Sequence, residues 1–99
     1  MMVEGGNAVE TCTTEVTLQN SNGLHARPAH LFVQTANAYA AKLLVGRPEL
    51  EMVDGKSIMG VMMLAAEMGT KLQLVSEGAD CRDQIRALTE LIEQRFGED

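Results

Sequence analysis

The chain has few of the residues on which several large classes of protein depend. Its 99 residues include no Trp, one Tyr and two Phe, so the aromatic platforms that stack single-stranded nucleic acid are missing. Basic residues number 8 against 14 acidic ones, and a net charge of −6 argues against binding to nucleic acid or to an anionic membrane surface. No segment approaches the ~20 consecutive apolar residues of a membrane span. We therefore expect one soluble domain whose partners are proteins with a basic docking face.

Cysteine is also scarce. Cys12 and Cys81 lack the paired spacing of a zinc site and are too few for a disulfide scaffold, which predicts two reduced thiols in a cytoplasmic protein. Residues 1–10 have neither a basic start nor an apolar run, so they do not predict a signal peptide. We expect a frayed tail over 1–10, followed by a single domain over 11–99, acting as a monomer without a cofactor.

Alternation of apolar and polar residues from Cys12 to Gln19 is typical of a half-buried strand. The other expected elements are a helix over 26–40, strands over 43–45 and 50–53, a short helix from Ser57 that ends before Gly69, a strand over 71–77, and a helix from Asp80 to Gly97. The order is β-α-β-β-α-β-α. Because amphipathic strands need helices on one face only, the pattern predicts an α+β fold with an antiparallel sheet and one open side.

The segment from Gly23 to Ala29 places a histidine where a helix should begin. Pro28 is tolerated in the first turn, since the N–H groups there have no partner within the helix. The free N–H groups of Ala26 and Arg27, with the positive end of the helix dipole, form an anion site. His25 at its edge has a neutral imidazole available as a nucleophile near neutral pH, and the Arg27 guanidinium supplies counter-charge for a phosphoryl group. No carboxylate is close to His25 in sequence, as suits a carrier that should not activate water. The competing interpretation is that His25 is an ordinary helix cap.

Ser57 is predicted to be the N-cap of the second helix, because serine is one of the commonest capping residues. A helix start is also a place where a phosphoserine is electrostatically tolerated. Both interpretations of Ser57 stay open.

Four of the seven methionines fall within ten residues, at positions 59, 62, 63 and 68. A short helix that is apolar on nearly every side cannot bury all of its surface against one sheet. Ile58, Met59 and Met62 are therefore predicted to form an exposed, adaptable docking patch, and the alternative is that these side chains fill the core.

Three segments carry a resemblance to a known family. NGLHARPA at 22–29 resembles the active-site signature, GKSIMGVM at 55–62 the regulatory-serine signature, and EGAD at 77–80 the turn before the last helix. The family is HPr, the histidine-containing phosphocarrier of the bacterial phosphoenolpyruvate:sugar phosphotransferase system. The resemblance covers about residues 12 to 96. It implies an open-faced β-sandwich, in which a four-stranded antiparallel sheet carries three helices on one face.

The resemblance also implies roles for particular residues. His25 would accept phosphate on Nδ1 from enzyme I and pass it to the IIA domains of sugar permeases, while Arg27 would stabilise the phosphorylated and transition states. Ser57 would be the target of an HPr kinase/phosphorylase. The positions of Ile58, Met59 and Met62 match apolar docking positions of the family.

The chain departs from the family at its N-terminal extension, at a slightly longer connection over 47–51, and at His30, where a small residue is more usual. The spacing of five residues from His25 to His30 is poor for shared metal binding, so His30 is expected on the surface and no metal site is predicted. The alternatives are a nitrogen-type paralogue, a purely regulatory HPr, or a non-catalytic binding module. Ser57 within its signature favours the sugar or carbon-regulation type, whereas an intact His25 and Arg27 argue against a binding module.

Overall fold

Strands and helices alternate in the order that the sequence pattern predicts. A computed structural model describes residues 10–98 of the chain, so residues 1–9 of the predicted tail over 1–10 lie outside the described residues, as does Asp99. The elements are β1 (Thr11–Thr17), α1 (Ala26–Asn37), β2 (Lys42–Gly46), β3 (Val53–Asp54), α2 (Ile58–Met62), β4 (Lys71–Glu77) and α3 (Cys81–Glu93), followed by a 3₁₀ turn, Arg95–Gly97.

The sheet has the strand order β1-β4-β2-β3, and every neighbouring pair is antiparallel. Along β4, Leu72, Leu74 and Ser76 point to the inner face and are buried, and the alternate residues are more exposed. Leu44, opposite Val75, lies on the other face and is 42% exposed. The predicted antiparallel, open-faced β-sandwich with three helices is confirmed.

The core lies between the inner face of the sheet and the helices. Aliphatic residues dominate it, as the scarcity of aromatics requires, although both phenylalanines are fully or almost fully buried. Its largest fully buried apolar side chains are Phe32, Phe96, Leu18, Leu43, Leu72, Leu74, Leu88, Ile92, Val45 and Val61. The last helix buries Leu88 and Ile92 against this core, and none of the helices within residues 10–98 is long and apolar enough to cross a bilayer.

Helix α1 ends three residues earlier than the predicted boundary at residue 40. The Asp80 carboxylate accepts hydrogen bonds from the backbone N–H groups of Ala40 and Ala41, both at 2.9 Å, and so draws them out of the helical pattern. Asp80 stands at the N-cap position of α3, as predicted, but its side chain makes no capping bond to that helix. The end of α1 therefore depends on a hydrogen bond between residues 40 positions apart, which no local sequence pattern indicates.

Other boundaries differ from the prediction as well. Helix α3 ends at Glu93, four residues before the predicted end at Gly97, and a separate 3₁₀ turn, Arg95–Gly97, follows it. The return strand predicted over 50–53 is only Val53–Asp54, because Glu49 has a positive φ of 74° and the chain turns there, leaving Leu50 exposed. Helix α2 ends at Met62, because Ala65 adopts a φ of 49°. The segment after it bonds to the loop before α1 and to the end of β1 instead of continuing as helix.

Candidate phosphoryl-acceptor site

His25 is the N-cap residue of α1, with extended backbone dihedral angles (φ −77°, ψ −174°). Its carbonyl accepts the first intrahelical bond, from the Ala29 N–H at 2.9 Å, but its side chain makes no capping bond. Ala26 and Arg27 are the first two helical residues, so their N–H groups have no intrahelical acceptor, and Pro28 contributes none. His25 therefore directly precedes two open backbone donors, and its side chain makes no capping bond to the helix.

A carboxylate far away in sequence contacts the imidazole. The His25 Nε2 lies 3.2 Å from Glu98 Oε2 and 3.3 Å from Glu98 Oε1. The 3₁₀ turn Arg95–Gly97, with Phe96 buried at a φ of 56°, redirects the chain after α3 and delivers Glu98 to the ring. The expectation of a site without a nearby carboxylate considered sequence neighbours only, and the structure supplies one from 73 positions away.

The contact with Glu98 has a chemical consequence for the ring. A carboxylate accepts, so Nε2 is the nitrogen that carries the proton, and in the neutral imidazole the lone pair is then on Nδ1. Nδ1 is therefore the ring nitrogen whose lone pair is not used in the contact with Glu98. The side chain of His25 is 39% exposed, so this atom remains within reach of a protein partner.

Asn20 connects the loop before His25 to Glu98 by hydrogen bonds. Its Nδ2 donates to the Gly23 carbonyl at 2.7 Å and to Glu98 Oε1 at 3.1 Å, and the residue is fully buried. No local pattern indicates that its amide would join the loop before His25 to the end of the chain.

The loop before His25 is hydrogen-bonded to the segment that follows α2. Leu24 N–H donates to the Ala66 carbonyl at 2.9 Å, and Gly23 has a positive φ of 61°. A Cβ at Gly23 would lie 2.3 Å from the Ala66 carbonyl oxygen, so only glycine allows this approach.

A groove between α1 and α2 starts beside the anion site. It has a volume of about 620 Å³ and is lined by Ala26, Arg27, His30, Leu31, Ile58 and Met62. Arg27 and His30 are exposed, and no carboxylate within residues 10–98 lies in ion-pair range of the Arg27 guanidinium. His30 thus lies on the surface, as expected, on the wall of the same groove.

The apolar residues of α2 continue this surface. We define the methionine patch as Ile58, Met59, Met62 and Met63, whose exposed fractions are 40, 73, 41 and 77%. These side chains are therefore not core filling. Met63 belongs to the patch although the sequence did not single it out, whereas Met68 lines other surface hollows beside Gly69 and Ser21.

Ser57 is the N-cap of α2, and its Oγ accepts a hydrogen bond from the Gly60 N–H at 3.1 Å. The predicted capping role is confirmed. Ser57 is half-buried and directly precedes Ile58, which lines both the groove and the methionine patch. The arrangement brings the serine to the edge of the same surface that begins at Arg27.

Comparisons with known proteins agree with this geometry. The sequence matches the family described as "PTS HPr component phosphorylation site" over residues 12–94. It is 51% identical over 84 residues to the phosphocarrier protein HPr of Pseudomonas aeruginosa, covering 85% of this chain and 93% of that one. The HPr of Neisseria meningitidis is 46% identical over 83 residues, covering 84% and 92%.

Solved structures give the same result. A crystal structure of HPr from Thermoanaerobacter tengcongensis superposes with a TM-score of 0.85 at 42% identity, covering 89% of this chain and 98% of that chain. An HPr dimer from the same organism has a TM-score of 0.71 at 44% identity, covering 84% and 94%. Fold and site together define a small carrier protein built around an exposed histidine. The chain belongs to the HPr family, and it is a phosphocarrier protein, not a catalytic enzyme.

Proposed function

We propose that His25 is the phosphoryl acceptor and that the protein relays phosphate from enzyme I to the IIA domains of sugar permeases. The observation that supports this proposal is that the two nitrogen atoms of the His25 ring have different surroundings. Glu98 accepts a hydrogen bond from Nε2–H, which leaves the lone pair on Nδ1, and His25 directly precedes the open N–H groups of α1.

In the proposed step the Nδ1 lone pair attacks phosphorus, and the bond from phosphorus to the donor's own atom breaks. The three phosphoryl oxygens carry negative charge. The positive end of α1, with the N–H groups of Ala26 and Arg27, stabilises that charge by hydrogen bonding and by the helix dipole. The Arg27 guanidinium, unpaired with any carboxylate of residues 10–98, supplies a full positive charge. The same groups favour the transition state because they are in place before the phosphate arrives.

The partner surface follows from the same elements. The α1–α2 groove and the methionine patch share Ile58 and Met62, so a partner that reaches His25 can cover both at once. Exposed methionines adapt to differently shaped partners, which suits a carrier that must dock on a donor and on several acceptors. The net charge of −6 favours partners with a basic docking face. We propose that the carrier acts in the cytoplasm and as a monomer.

The test uses His30 as a matched control, since it is a second exposed histidine on the same groove. Wild type, His25→Ala and His30→Ala are incubated with enzyme I and labelled phosphoenolpyruvate. We expect acid-labile label on wild type and His30→Ala and none on His25→Ala. Label on His25→Ala would refute the assignment, and absence of label from all three would favour a binding module. Faster labelling by a nitrogen-type enzyme I would favour the nitrogen-type paralogue.

A second proposed function concerns Ser57, whose hydroxyl lies at the edge of the docking surface. Phosphorylation by an HPr kinase/phosphorylase would add about −1.5 to −2 charges there. Any apolar partner surface that covers Ile58 and Met59 would have to desolvate that charge. We expect Ser57→Asp to fold normally and to accept phosphate at His25 more slowly, mainly through weaker enzyme I binding.

Ser57→Ala separates this effect from the loss of the cap. It removes the acceptor for the Gly60 N–H without adding charge, so it costs about 1 kcal/mol of stability. Its phosphotransfer should stay near the wild-type rate. Equal rates for Ser57→Asp and Ser57→Ala would show that Ser57 is a cap and nothing more.

A further inference from the structure

Two cysteine side chains meet at the opposite end of β1 from the loop that carries His25. Cys12 is the second residue of β1, Cys81 is the first residue of α3, and their sulfur atoms lie 2.6 Å apart. Cys81 is fully buried and Cys12 is half-buried, and both are free thiols. The phosphotransfer site uses neither of them.

The surrounding backbone, and not the thiols, imposes this contact. Cys12 pairs with Ser76 across the β1–β4 ladder, and the Glu10 carbonyl accepts from Gly78 N–H at 2.8 Å. The turn into α3 then places Cys81 beside the strand, where its N–H donates to the Gly78 carbonyl at 3.2 Å. A disulfide bond measures about 2.05 Å between sulfurs, so a shift of about 0.5 Å would join the two side chains.

A metal ion is the other occupant to consider. Glu10, Cys12 and Cys81 offer ligand atoms that all lie within 4.8 Å of one another. The Glu10 carboxylate is already engaged, however, by the Arg82 guanidinium at 2.6 Å. A cation would have to displace that positive charge or bind beside it, so the surroundings disfavour a metal and leave the thiol pair to react with itself.

We propose that Cys12 and Cys81 form a reversible intramolecular disulfide by exchange with a small-molecule disulfide such as oxidised glutathione. The Cys12 thiolate attacks one glutathione sulfur, which forms a mixed disulfide and releases the first glutathione. The Cys81 sulfur, losing its proton, then attacks the Cys12 sulfur, and the second glutathione leaves. Two protein thiols are oxidised and one glutathione disulfide is reduced to two thiols, which take up the two protons.

The order of attack follows from burial. Loss of solvent and, after it, the contact with Cys12 together raise the pKa of the Cys81 thiol to about 11. Cys81 is therefore a poor first nucleophile, and the more exposed Cys12 meets the oxidant. Once the mixed disulfide exists, Cys81 is already in contact with the sulfur that it must attack.

The bond would close a loop between residues 69 positions apart and so constrain the unfolded chain. It would staple β1 to α3 without moving His25 or Glu98, which lie beyond the far ends of those elements. We therefore expect oxidation to stabilise the fold and to leave phosphotransfer unchanged. The inference stands apart from the proposed function, because its test needs no phosphoryl donor.

The test equilibrates the full chain with buffers of defined reduced and oxidised glutathione ratio, in EDTA, then alkylates the remaining thiols and weighs the protein. We expect a monomer that has lost two hydrogen atoms and takes up no alkylating agent. Half-oxidation should need about 30- to 1,000-fold less oxidising conditions for the folded protein than for the same chain in denaturant, since that ratio is the stabilisation by the bond. Cys12→Ser and Cys81→Ala, measured in parallel, should show neither the mass loss nor a rise in Tm on oxidation.

Several outcomes would overturn the proposal. They are a glutathione adduct that persists on Cys12 without closing, a disulfide between two chains, or equal oxidation of the folded and denatured protein. In a parallel sample without EDTA, protection of both thiols by stoichiometric zinc, but not by oxidised glutathione, would also overturn it and would assign a metal site to Glu10 and the two cysteines.

Discussion

Substituting Gly23 with alanine tests whether the close approach of the acceptor loop to the segment after α2 is as tight as the structure indicates. The added Cβ would lie 2.3 Å from the Ala66 carbonyl oxygen and 2.7 Å from the Glu67 Cα, so the backbone must move. Such overpacking costs about 1–3 kcal/mol. The positive φ of 61° adds about 1–2 kcal/mol for any residue with a Cβ.

Gly69 is the matched control for this substitution. It also has a positive φ, of 89°, but a Cβ there would meet nothing within 4 Å. Gly69→Ala should therefore lose only the dihedral contribution of about 1–2 kcal/mol, whereas Gly23→Ala should lose about 2–5 kcal/mol. The two variants should therefore differ in stability only by the cost of the close contact that the added Cβ makes at Gly23.

Urea unfolding followed by far-ultraviolet circular dichroism measures both variants against wild type. A difference of about 2 kcal/mol between the variants corresponds to about 1–2 M in the urea midpoint. Folded Gly23→Ala should also accept phosphate slowly, because Gly23 and Leu24 hold the loop that ends at His25. Equal midpoints for the two alanine variants would refute the argument that contact with Ala66 defines the loop.

The remaining predictions concern four side chains. Arg27→Ala should fold and transfer phosphate roughly ten- to a thousand-fold more slowly in stopped assays with enzyme I, because a prepositioned charge is lost. Glu98→Ala should slow transfer by less than about fivefold, since a pair that is still partly open to solvent is worth no more than about 1 kcal/mol, and a larger loss would make Glu98 essential. Met59→Glu should weaken enzyme I binding in titrations yet change the free energy of unfolding by less than about 1 kcal/mol. If this variant is unfolded instead, Met59 is a core residue and not a docking residue. Bonds from the Ala40 and Ala41 N–H groups lower the pKa of Asp80, so its stabilisation is complete above its unfolded pKa of about 3.9 and is lost as pH falls through the lowered value. Asp80→Asn should therefore be less stable than wild type at pH 7 and equal to it in strong acid, and a constant difference would exclude this ionisation.

Local patterns were sufficient for the order of the elements and for the antiparallel sheet. Strand alternation from Cys12 onward depends on residues close together in sequence, and the strand that it predicts is confirmed. The early end of α1 could not be predicted, since the carboxylate that ends it comes from Asp80. Buried Gln84 illustrates the same limit, because its amide satisfies the carbonyls of Ala36 and Ala41 on other elements.

The acceptor site, too, could be predicted from the sequence only in part. The anion site at the start of α1 follows from the segment around His25 itself, because a helix N-terminus and a proline in its first turn are local features. Glu98 and Asn20 come from outside that segment, and only the turn after α3 brings the carboxylate to the ring. The choice of Nδ1 over Nε2 can therefore be argued from the structure, whereas in the sequence it depended on a family resemblance.

The most direct test of this account is a phosphorus–nitrogen correlation spectrum of the histidine-labelled protein after phosphorylation by enzyme I and phosphoenolpyruvate. The account predicts that phosphorus is bonded to Nδ1 of His25, that Nε2 of the same ring keeps its proton, and that His30 is unmodified. Phosphorus on Nε2 of His25, or on either nitrogen of His30, would contradict it.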